Sequence, residues 1–151
     1  MDVNNLARLQ RNLPKAYVFK PLGVSEQEKE ASLYGDLSVA LAILAEKTDS
    51  DSKLAAYCRA LLAFLGVANE KKWTYLLLLS PEELKQFKQK WQTKSFSKIY
   101  LILQQQLMKS YFERRSDYFV HAWRIFIKFG LVELNLTETE IEEYCERLAT
   151  K

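Results

Sequence analysis

The side chains in this chain that could do chemistry are mostly cations. Between Lys53 and Val132 the sequence carries fourteen Lys/Arg against five Asp/Glu, while 25–52 and 133–151 are acidic and the 151-residue chain as a whole is only +3. Aromatic residues thread the same block: Trp91, Phe96, Tyr100, Tyr111, Phe112, Tyr118, Phe119, Trp123, Phe126 and Phe129. Cations interleaved with flat rings suit a polyanion that has stackable bases. On a helix turning 100° per residue, Lys94, Lys98, Gln105 and Lys109 share an arc of about 60°, on which Leu101 and Phe112 intrude. Asp117, His121, Arg124 and Lys128 share a second arc of about 60°, with Arg114 beside it. Arg115 adjoins Arg114 at the junction, and Lys85, Lys88 and Lys90 make a looser outward set. The candidate nucleic-acid contacts are therefore Lys94, Lys98, Lys109, Arg114, Arg115, Arg124 and Lys128, with Lys85, Lys88 and Lys90 in second rank. Gln104, Gln105 and Gln106 add polar groups for phosphate oxygens or base edges. The competing explanation is that mostly buried helices show solvent a narrow charged stripe.

The remaining reactive side chains do not assemble into catalytic patterns. There is one histidine, His121, and the two cysteines, Cys58 and Cys145, both fall at apolar-periodic positions. They read as reduced core thiols, which implies a reducing compartment, most simply the cytoplasm. A tetrahedral zinc site lacks ligands, and the four glycines are isolated rather than gathered into a phosphate-cradling loop. Carboxylate pairs such as Glu82-Glu83 and Glu142-Glu143 are adjacent along helix surfaces instead of converging across a cleft. A non-enzyme without cofactor or metal is expected. No secretory signal opens the sequence, and apolar runs such as Ile99–Leu103 fall far short of the roughly 18 residues of a membrane span, so no membrane partner is expected.

Stepping from these residues to the elements that hold them, Gly and Pro total only seven, which argues against a turn-rich β domain. Ser25-x-x-Glu28, Ser80-x-x-Glu83 and Thr137-x-x-Glu140 each fit a capping box. Helices are predicted at about 3–12, 25–47, 52–68, 81–93, 95–114, 116–130 and 137–150, with Gly66 and Gly130 near helix ends. Trp73–Leu79 fits either a short buried helix, which is preferred, or a strand. The expected fold is all-α: a single compact bundle of about five to seven helices over 25–151, preceded by an N-terminal helix and extended arm over 1–24. Residues 13–24, bracketed by Pro14 and Pro21, have no helical period and must lie against something. The last helix directs Ile141, Cys145 and Leu148 inward and Glu138, Glu142, Glu143 and Glu146 outward. That acidic face serves solubility, or it meets the basic face of a second copy head to tail.

An all-helical chain of this size, with a basic aromatic-laced centre and no catalytic groups, resembles the small subunit of Cascade-type CRISPR effector complexes. In type I-D systems that subunit corresponds to the separately made C-terminal part of the large subunit. The connector Leu13–Val24 is similar to what a start inside a longer frame leaves behind. The tail Leu136-Thr137-Glu138-Thr139-Glu140-Ile141 resembles the closing helix of such subunits. The resemblance implies a non-catalytic part of a ribonucleoprotein that stabilises the guide RNA–target DNA duplex or the displaced single strand. It also implies as partners the repeated backbone subunit, the large subunit, and further copies stacked head to tail. Sequence would then be read by guide pairing and only shape and backbone by the protein. The alternative is a helical protein-interaction module, an adaptor or immunity-type protein, whose basic face meets an acidic partner.

Overall fold

At four helix starts among the described residues a polar side chain caps the first turn. The computed structural model describes residues 1–14, 17–23, 25–89 and 95–150, and within these the chain is an all-α bundle of seven α-helices without strands. They are α1 (Val3–Asn12), α2 (Glu26–Lys47), α3 (Lys53–Lys71), α4 (Pro81–Gln89), α5 (Phe96–Glu113), α6 (Ser116–Lys128) and α7 (Glu138–Ala149). Asp2 accepts from the Asn5 amide, Ser25 from Glu28 and Ser80 from Glu83. Thr137 and Glu140 complete a reciprocal capping box, each side chain accepting the other's backbone N–H at 3.0–3.1 Å. Each such cap is worth about 1 kcal/mol, because the first-turn donors have no partner inside the helix.

Helix ends follow different rules. Gly66 is no terminus: α3 runs through it to Lys71 and stops at Lys72, which takes a left-handed φ of 60°. The glycine instead lets α1 approach, since a Cβ there would stand 3.1 Å from the Gln10 amide. Over Trp73–Leu79 the chain forms one 3-10 turn, Thr74–Leu77, helical as expected but not buried as a whole: Leu77 is sealed while Tyr75 and Leu78 are exposed. The buried Trp123 indole donates to the Leu77 carbonyl at 2.9 Å and ties this turn to α6.

The core is built around α3. Tyr57, Cys58, Ala60, Leu61, Phe64 and Leu65 are completely buried there, and so are Phe119, Ala122, Trp123, Phe126 and Ile127 of α6. The Phe64 ring meets Phe119, Trp123 and Phe126 with centroids 4.8–5.6 Å apart, the range in which edge and tilted ring pairs are favourable. Tyr57 stacks on Phe126 at 4.3 Å with parallel planes, and its hydroxyl donates to the Phe126 carbonyl at 2.9 Å. Beyond Lys128 the chain widens into a π-helical turn, Phe129–Glu133, closed by a bond from the Leu134 amide to the Phe129 carbonyl. Gly130 sits in that turn against Tyr57. α1 joins the same core through fully buried Leu6 and Ala7. The arm after α1 lies on α2: the Val18 and Phe19 amides donate to Asp36, and the Phe19 ring covers Gly35.

Gly130 and Gly35 therefore respond differently to a methyl group. At Gly130 it would fall 2.2 Å from a sealed phenol ring, so Gly130→Ala should cost about 1–3 kcal/mol of overpacking. At Gly35 the obstacle, at 2.7 Å, is a half-exposed ring on the arm that can swing aside, so Gly35→Ala should be nearly neutral. Urea unfolding of the two variants checks the order; equal midpoints would refute the packing described for Gly130.

Candidate nucleic-acid interface

The short turn at Arg114–Arg115 folds α5 and α6 into an antiparallel hairpin. Its register is pinned at three levels. Phe96 meets Phe129 edge-on at 5.5 Å, His121 Nδ1 shares a hydrogen bond with Gln106 at 3.1 Å, and the Lys109 ammonium sits 5.4 Å from the Tyr118 ring. The inner side of α5 is fastened to α2 by the buried Tyr34–Ser110 hydroxyl pair at 2.9 Å. The Ser38 hydroxyl donates to Gln104 Oε1 and Gln104 Nε2 donates back to the Ser38 carbonyl, which reinforces the contact. This register places Lys98, Lys109, Arg124 and Lys128 on one hairpin.

The candidate cations divide into two groups. Arg124 is half-buried, pairs with Glu83 of α4 and lies over the Phe87 ring at 5.2 Å. Lys88 pairs with Glu138 at the start of α7 at 3.0 Å. Arg115 makes a two-pronged contact with Asp117 at 3.0 and 2.8 Å and covers Tyr118. These three already have an anion. Lys85, Lys98, Lys109, Arg114 and Lys128 have no ion pair among the described residues; Lys85, Lys98 and Arg114 are exposed, while Lys128 is half-buried and so is Lys109, over Tyr118. Lys90 and Lys94, together with Trp91, lie outside the described residues.

The polar and aromatic residues of the block are also largely committed. Gln104 serves Ser38 and Gln106 serves His121, leaving Gln105 exposed. Phe119, Trp123, Phe126 and Phe129 are core, Tyr118 lies beneath cations, and Phe112 is the aromatic ring of the hairpin that stands openly in solvent. What the charge pattern alone did not announce is the apolar company of Phe112: Leu101, Ile102 and Met108 are exposed on the same helix. The signal was their spacing, masked because the lysines share the arc.

The ion pairs shift the carboxyls that make them. The Arg124 guanidinium holds Glu83 below the ordinary value of 4.5. Burial pushes Glu138 up, but Lys88 and the N-terminal ammonium outweigh it and bring the carboxyl below 4.5. Elsewhere, burial raises Tyr34 to about 12 and Tyr57 well above its usual range. The Cys145 thiol beside it and burial both raise Cys58, whose Sγ reaches the Ile141 carbonyl at 3.8 Å. Both tyrosines and the Cys58 thiol stay protonated at neutral pH. Among the described residues no three His, Cys, Asp or Glu converge to hold a metal ion, and no described helix is long and apolar enough to cross a membrane.

Comparison with family models, curated proteins and solved structures returns no match.

Two measurements follow from this geometry. Carboxyls lowered by folding add stability that is complete above about pH 4.5 and is lost as pH falls through their lower folded values. Thermal melts from neutral pH downward should therefore fall off below about pH 4.5, and Glu83→Gln with Glu138→Gln should flatten that limb. An unchanged acid limb in the double variant would show that these pairs contribute nothing. A thiol-specific chromogenic reagent should find neither cysteine in the folded protein and both after unfolding; rapid reaction in native buffer would contradict their burial.

Proposed function

We propose that this chain is a non-catalytic, sequence-independent nucleic-acid-binding subunit of a ribonucleoprotein assembly. Its binding surface is the outer side of the α5–α6 hairpin with the exposed edge of α4. The observation that carries this reading is that Lys98, Arg114, Lys128 and Lys85 have no ion pair among the described residues, whereas Lys88, Arg115 and Arg124 each have one and Lys109 sits over the Tyr118 ring. A cation already paired with a carboxylate gains little from a phosphate, because the internal pair must be broken or screened first. Unpaired lysines release condensed counterions from the polyanion at full value. Contacts of this kind fall on phosphates and do not discriminate between bases. In the CRISPR effector that the sequence resembles, the ligand is the guide–target duplex or the displaced strand, and the repeated backbone and large subunits are its neighbours.

Fluorescence anisotropy with labelled oligonucleotides of unrelated sequence tests the proposal. With four free cations, log affinity should fall against log salt with a slope of about −3 to −4. Lys98→Glu with Lys128→Glu should reduce that slope by about two, while Arg115→Gln and Lys88→Gln should leave it nearly unchanged. Salt-insensitive binding, or equal effects of all four substitutions, would overturn the reading. Arg124 is unsuited to this test: its reversal sets a carboxylate against Glu83 and loosens α4 from α6.

A further inference from the structure

Helix α5 is apolar on two opposed faces. Leu103, Leu107 and Ser110 are buried against the bundle, whereas Leu101 is 64% exposed, Ile102 43%, Met108 41% and Phe112 75%. Leu101, Gln105, Met108 and Phe112 follow the i, i+4, i+7, i+11 spacing and fall within about 60° of one another, nearly opposite the buried face. This is the seam by which one helix packs against another. Lys98 and Lys109 line one flank of the seam and Arg114 stands at its C-terminal end.

We propose that this seam docks an amphipathic α-helix of a different protein, with apolar residues at matching spacing and Asp/Glu on the flank that meets Lys98 and Lys109. The charges select this occupant. Two copies of α5 paired antiparallel about a two-fold axis would set the lysine flank against itself, and like charges there are unfavourable. A parallel pair would set it against Ser97, Gln104 and Tyr111, which carry no charge. Glu113 lies about 110° from the centre of the seam, turned away from a helix seated on it. The α7 of a second copy has the right sign in its outward glutamates but no seam to offer, because Ile141 and Cys145 face its own core.

Two synthetic helical peptides with the same leucine seam, one flanked by Glu and the other by Lys, provide the probe. The Glu-flanked peptide should bind roughly tenfold or more tighter. Lys98→Glu with Lys109→Glu should reverse that preference. Leu101→Ser with Phe112→Ser should abolish peptide binding while circular dichroism and the salt slope of oligonucleotide binding, which the cations set, stay those of the unaltered chain, so this docking and the nucleic-acid reading fail separately. Met108→Ser provides a milder second variant should the double one lose its fold. Equal binding of both peptides, or of neither, would refute the proposal. So would concentration-dependent self-association, or binding to phosphatidylserine vesicles, that the seam substitutions remove.

Discussion

The Tyr57 hydroxyl, sealed at the centre of the bundle, has to find an acceptor there, and most of the architecture can be traced to the one it uses. A buried donor left without a partner costs about 1–3 kcal/mol. The Phe126 carbonyl answers this one, and the same contact stacks the two rings in parallel. The bond fixes α3 against α6 in both translation and rotation, so Phe64 arrives between Phe119, Trp123 and Phe126. It also occupies the volume in which a side chain at position 130 would stand. Glycine there and the widened turn after Lys128 are two parts of one accommodation, and π turns mark places where a helix absorbs such a constraint.

The surface charges obey a second constraint. Arg124 and Glu83 join α6 to α4, and Lys88 and Glu138 join α4 to α7. Over the described residues of α4, Leu84 and Phe87 are buried, and these two pairs add to its attachment. Part of what looks like a polyanion-binding block is thus internal fastening. Among the described residues, the cations without an ion pair lie along the α5–α6 hairpin and, at Lys85, on the exposed edge of α4.

The starts of α2, α4 and α7 were legible from single residues because a cap is a local contract between a hydroxyl and an amide three positions on. The all-α bundle followed from them. Ends were less legible: Gly66 looked like a stop, and only the closeness of Gln10 on another helix reveals its purpose. For the same reason the types and stripes of the site residues could be read while their pairing could not. Arg124 and Glu83 are 41 positions apart and Lys88 and Glu138 are 50 apart, distances over which no periodicity carries information. The α5 seam was half visible, since Leu101 and Phe112 intrude on the lysine arc, but which face of α5 turns inward is decided by Tyr34 and Ser38 of α2.

The first and last helices of the bundle are neighbours. The Asp2 amide donates to Glu142 at 2.8 Å, and α1 buries Leu6 and Ala7 in a core that α7 completes with Ile141 and Cys145. During synthesis α1 leaves the ribosome more than a hundred residues ahead of the helix that closes over it. Contacts of such sequence separation form late, since the loop they close must be ordered first. The nascent bundle is therefore held open along this seam until the acidic α7 emerges, and a chain stalled before Glu138 would show its apolar interior along this side to every other molecule in the cell.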